Sequence, residues 1–88
     1  MENKKISFAG LKYILRKHEE TGNSYCRNGW SIAKGGYDLW WEIYYKGYVV
    51  LQCIAGELCS DFSIPCKEFD EAAKKRLINK VKTEYKMK

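Results

Sequence analysis

The chain has 88 residues, with 16 Lys and Arg against 11 Asp and Glu, for a formal net charge of +5. Apolar residues make up 45% of it and aromatic residues 15%, which supports one hydrophobic core and excludes a disordered chain. No apolar run is long enough to cross a bilayer. The opening Met1-Glu2-Asn3-Lys4-Lys5 lacks the apolar stretch and small-residue cleavage site of a secretory signal. A single domain over residues 1–88, a cytoplasmic location and no membrane partner are therefore expected.

The positive charge is not uniform. Residues 1–22 carry five Lys and Arg against three Glu, or +2. Residues 23–65 carry Arg27, Lys34 and Lys46 against Asp38, Glu42, Glu57 and Asp61, or −1. Residues 66–88 carry eight Lys and Arg against four acids, or +4. A basic chain invites a nucleic-acid reading, but the middle of this one has the opposite sign.

In chain order, the first element is an amphipathic helix over about 7–21. Phe8, Leu11, Ile14, Leu15 and His18 fall on one arc, with Lys12, Arg16, Lys17 and Glu20 opposite. Ser7 offers an N-cap and Gly22 a C-terminal stop. The middle is dominated by Val, Ile, Trp and Tyr, with Gly as punctuation. It predicts antiparallel strands at about 28–34, 37–45, 48–55 and 58–64. Gly35-Gly36 suits a two-residue turn, pairing Ile32 with Leu39 and Trp30 with Trp41. Tyr45-Lys46-Gly47 suits a three-residue loop with a bulge, pairing Tyr44 with Tyr48. A two-residue Lys46-Gly47 turn would place Glu42 beside Leu51, so the bulged loop is preferred. Gly56-Glu57 suits a two-residue turn, pairing Ala55 with Leu58 and Cys53 with Ser60. The last element is a helix over about 66–85. Phe69, Ala73, Leu77, Val81 and Tyr85 make its apolar stripe, Glu68, Asp70 and Glu71 sit near its start, and Lys80, Lys82, Lys86 and Lys88 lie towards its end.

These registers collect Trp30, Ile32, Leu39, Trp41, Ile43, Tyr45, Val49, Leu51, Cys53, Ala55, Leu58, Phe62 and Ile64 on one face. That face is the core. The fold class is α+β: a two-layer sandwich of helix, antiparallel β-meander of three to four strands, and helix, with both helices on one face of the sheet.

The opposite face would carry Ser31, Ala33, Asp38, Trp40, Glu42, Tyr44, Tyr48, Val50, Gln52, Ile54, Cys59 and Asp61. It combines aromatic and apolar residues with three acids and no Lys or Arg. Exposed aromatics of this kind mark a contact surface. Base-stacking platforms also occur on sheets, but they need positive charge nearby. The expectation is a small non-catalytic protein-binding module, a regulator or inhibitor of a larger protein or a self-associating accessory protein. Trp40, Tyr44, Tyr48 and Val50 would be its anchors, and Asp38, Glu42 and Asp61 its steering charge. The partner would be a protein with a basic or mixed surface, or a second copy of the chain.

The alternative is a nucleic-acid-binding domain. Lys75, Lys82 and Lys86 align on the last helix away from its apolar stripe, with Arg76 adjacent, and Lys12, Arg16 and Lys17 add charge on the first helix. The order helix, strands, helix is similar to that of the double-stranded RNA-binding domain. That family places a lysine cluster at the start of its last helix, where this chain reads Lys67-Glu68-Phe69-Asp70-Glu71. The resemblance covers topology and not motifs.

The four cysteines, Cys26, Cys53, Cys59 and Cys66, form no Cys-x-x-Cys pair. Free thiols are expected, with no metal and no cofactor. His18, the one histidine, falls on the apolar arc of the first helix, so no nucleophile–base set is expected and the chain reads as a non-enzyme.

Overall fold

The computed structural model describes residues 6–34, 40–60, 62–65 and 67–84. Its elements are α1 (Leu11–Thr21), β1 (Tyr25–Arg27), β2 (Trp30–Lys34), β3 (Trp40–Tyr45), β4 (Tyr48–Ile54), β5 (Glu57–Cys59) and α2 (Glu71–Glu84). The strands form one antiparallel sheet in the order β1-β2-β3-β4-β5. The α+β class read from the sequence is the one observed. Among the described residues, no helix is long and apolar enough to cross a membrane.

Three of the hairpins close on a residue–glycine pair. Arg27 pairs with Trp30 across Asn28-Gly29, Tyr45 with Tyr48 across Lys46-Gly47, and Ile54 with Glu57 across Ala55-Gly56. The first residue of each pair has a positive φ, 53° at Asn28, 50° at Lys46 and 54° at Ala55, and the glycine that follows is positive as well. Two successive left-handed residues match the right-handed twist of the flanking strands. Strand β1 and its Asn-Gly turn were not expected from the sequence, although Asn-Gly is the strongest local hairpin signal.

The expected registers slip, but by even steps. Ile32 pairs with Ile43 and Trp30 with Tyr45, rather than with Leu39 and Trp41. Cys53 pairs with Leu58 rather than with Ser60. Side chains alternate with a period of two, so an even slip changes partners and leaves every residue on its own face. The β3–β4 hairpin is different. It turns at Lys46-Gly47, and a bulge lies further in: Tyr44 opposes Val49, whereas Ile43 opposes Leu51, leaving Val50 as the extra residue. The bulge resets the register, so that Glu42 lies opposite Gln52 and not beside Leu51. It also turns two successive residues, Val50 and Leu51, into the core, each fully buried.

One core cluster joins the sheet to both helices. Leu11, Ile14 and Leu15 of α1, and Ala73, Leu77 and Val81 of α2, are buried with Trp30, Ile32, Trp41, Ile43, Leu51 and Cys53. Contacts advance together along the two helical segments, Arg76 lying over the Phe8 ring and Glu84 reaching Arg16, so α1 and α2 run side by side in the same direction. Both helices start later than the sequence suggests. The carbonyl of Ser7 accepts the Trp30 indole N–H at 2.9 Å, which holds the segment before α1 against the sheet. Ser7 Oγ accepts the Ala9 N–H at 3.2 Å, and Gly10 is the N-cap. At α2, the cap is Asp70, whose Oδ1 accepts the Ala73 N–H at 3.0 Å. The expected strand over 58–64 is only Glu57–Cys59. Beyond it the Phe62 carbonyl accepts a bond from Lys74 Nζ at 3.1 Å and is engaged by α2, not by the sheet.

Candidate functional site

The outer face of the sheet consists of three cross-strand rows. The first is Cys26, Ser31, Tyr44 and Val49; the second is Ala33, Glu42, Gln52 and Cys59; the third is Trp40, Ile54 and Glu57. Glu42 lies at the centre and is held from two sides. The Tyr44 hydroxyl donates to its Oε1 and the Gln52 amide to its Oε2, both at 2.6 Å. Hydrogen bonds to a charged carboxylate are short and strong, and two of them fix the side chain in one position. The only charges in these rows are the acids Glu42 and Glu57. Ile54 is 48% exposed, and Trp40, Tyr44 and Val49 are half-buried.

The rows bring together Trp40, Glu42 and Tyr44 of the expected site. They do not include Val50 or Tyr48. Val50 is fully buried, because the bulge turns it inward and leaves Val49 in the place on the outer face that the unbulged pattern gave to Val50. Tyr48 is exposed, but it pairs with Tyr45, which is buried in the core, so it belongs to the core side of the sheet at the hairpin's end. Asp38, Asp61 and Lys86 lie outside the described residues. On α2, Lys75 and Lys82 are exposed, while the Arg76 guanidinium stacks 4.5 Å over Phe8.

His18 has a structural task at the end of α1. It is buried, its ring packs 5.9 Å from that of Trp41, and its Nδ1 lies 2.8 Å from the Asn23 carbonyl. A carbonyl only accepts, so Nδ1 carries the proton. Among the described residues, Cys26, Cys53 and Cys59 are free thiols, and no three His, Cys, Asp or Glu side chains converge as metal ligands would.

The Glu42 carboxylate, by accepting its O–H, holds the Tyr44 phenol above its ordinary value of 10.0, and burial adds to the shift. A pKa raised on folding favours the protonated, folded form. The contribution is complete below pH 10.0 and is lost as pH rises through the folded value. Alkaline titration of tyrosinate absorbance should therefore show a late-ionising phenol that moves to lower pH in Glu42→Gln. An unchanged titration in Glu42→Gln would show that the carboxylate is not its cause.

The chain matches no protein-family model, and no curated protein or solved structure matches it.

Proposed function

We propose that the chain is a small non-catalytic protein-binding module, a regulator or inhibitor of a larger protein or an accessory protein that associates with itself, and that it binds through the outer face of its sheet. The observation that carries this reading is the rigid Glu42 carboxylate set between Trp40, Tyr44 and Ile54 on a face whose rows hold no cation. Half-exposed aromatics supply contact area that is desolvated on binding, and the pinned carboxylate supplies a preorganised acceptor for a partner's Arg or Lys. The partner surface would be basic or mixed in charge.

A photo-crosslinking amino acid at Ile54, compared with one at Lys80 on α2, tests the reading. Adducts should form from position 54, with a partner or with a second copy, and should disappear in Trp40→Ala while the circular dichroism stays native. Adducts from position 80 alone would remove the sheet face as the contact surface. An unfolded Trp40→Ala would make Trp40 a core residue instead.

A further inference from the structure

We infer that the start of α1 and the β1–β2 turn form a binding groove for the phosphate backbone of single-stranded nucleic acid. This groove is independent of the outer sheet face. Arg27 pairs with Trp30, so it projects to the helix side of the sheet.

The groove is lined by Lys12, Tyr13, Arg16, Lys17, Arg27 and Asn28. Four of these are cations and none is an acid. Arg16 lies 3.4 Å from Glu84, and among the described residues Lys12, Lys17 and Arg27 make no ion pair. Their positions are set by contacts between the two elements. The Arg27 guanidinium lies 4.3 Å over the Tyr13 ring, and Asn28 Nδ2 donates to the Ala9 carbonyl at 3.2 Å. Gly10 lets them approach, since a Cβ there would sit 3.0 Å from the Arg27 carbonyl oxygen. The positive end of α1 opens at the same place, with no side-chain cap and no acid in its first turn.

The lining chemistry selects the ligand. Four cations beside a tyrosine ring match a ligand that alternates phosphates with flat bases, and an acidic peptide, which supplies the charge without the bases, is the competitor that the test includes. Lys12 and Arg16 are one turn apart, about 6 Å along the axis, similar to the distance between neighbouring phosphates on an extended strand. Tyr13 is 39% exposed, with the Arg27 guanidinium over one face of its ring and Tyr25 edge-on at 6.4 Å, so a stack of guanidinium and aromatic planes borders the cations. Bases offer their faces to such rings only when they are unpaired, which favours a single strand over a duplex.

The test is fluorescence anisotropy of the full chain with a labelled oligouridine, an oligothymidine and a duplex. Three to four phosphate contacts predict that single-strand affinity falls about 20- to 50-fold between about 50 and about 200 mM salt. Lys12→Gln, Lys17→Gln and Arg27→Gln should each weaken binding about five- to tenfold at the lower salt and flatten the salt dependence. Their folding is checked by circular dichroism, and the two lysine variants alter exposed or half-buried helix positions only. Lys75→Gln and Lys82→Gln on α2 should bind as wild type does. Absence of low-salt binding, losses that follow the α2 variants instead, or preference for the duplex would each overturn the inference. So would competition by polyglutamate as effective as that by the oligonucleotide, since the groove would then read charge alone.

Discussion

Trp30→Ala should be strongly destabilising and remove a large share of the chain's stability. The Trp30 side chain is fully buried. Its ring lies 5.2 Å from that of Phe8, 4.7 Å from that of Tyr45 and 6.2 Å from that of Phe69. Its N–H bonds to the Ser7 carbonyl. One side chain therefore ties together the segment before α1, strands β2 and β3, and the approach to α2. Truncation of a buried aromatic to Ala costs about 3–5 kcal/mol. A domain of this size has a total stability of about 4–13 kcal/mol at about 0.05–0.15 kcal/mol per residue. The loss thus takes from about a quarter of this stability to all of it. Trp30→Phe keeps most of the packing and leaves the Ser7 carbonyl without its donor, so it should cost about 1–3 kcal/mol. Urea denaturation followed by circular dichroism separates the two variants. A midpoint in Trp30→Ala close to that of wild type would show that the core does not depend on this ring.

The placement of Trp30 was legible in the sequence for a reason that does not depend on the exact partners. Trp30, Ile32, Trp41, Ile43, Leu51 and Cys53 keep the expected face because two registers slip by even steps and the bulge between β3 and β4 offsets the one-residue slip at their turn. Trp40, Glu42 and Tyr44 keep the outer face for the same reason. Val50 is inside rather than on the expected outer face because Val49-Val50-Leu51 is an apolar run without alternation, which does not specify which of its residues turns out. The bulge decides that, and it follows from fitting Lys46-Gly47 into a two-residue turn while Glu42 stays opposite Gln52. The Asn28-Gly29 turn is itself a local hairpin signal, and β1 and the placement of Arg27 follow from it. The contact of Arg27 with Gly10 and Tyr13 joins residues far apart in sequence, and no local pattern encodes it. The helix starts depended on tertiary contacts as well, since Trp30 bonds to the carbonyl of Ser7, the residue expected to cap α1.

The second large effect is expected at Gly10. Its φ of +96° is one that a side chain rarely adopts, and a Cβ would stand 3.0 Å from both the carbonyl oxygen and the Cγ of Arg27. Gly22 at the other end of α1 supplies an internal control, because its φ is +76° and a Cβ there would meet no atom within 4 Å outside its immediate neighbours in the chain. Gly22→Ala should therefore show the backbone cost alone, about 1–2 kcal/mol. Gly10→Ala carries a similar backbone cost and adds about 1–3 kcal/mol of crowding, because the carbonyl it meets belongs to a paired strand and cannot swing away as a side-chain tip would. Relief comes only by moving the β1–β2 turn off the helix, which would lift Arg27 from Tyr13 and break the Asn28–Ala9 bond. Chemical denaturation of the two variants measures the difference. Equal losses in Gly10→Ala and Gly22→Ala would mean that the turn yields freely, and that Arg27 is not held against α1 by close packing at Gly10.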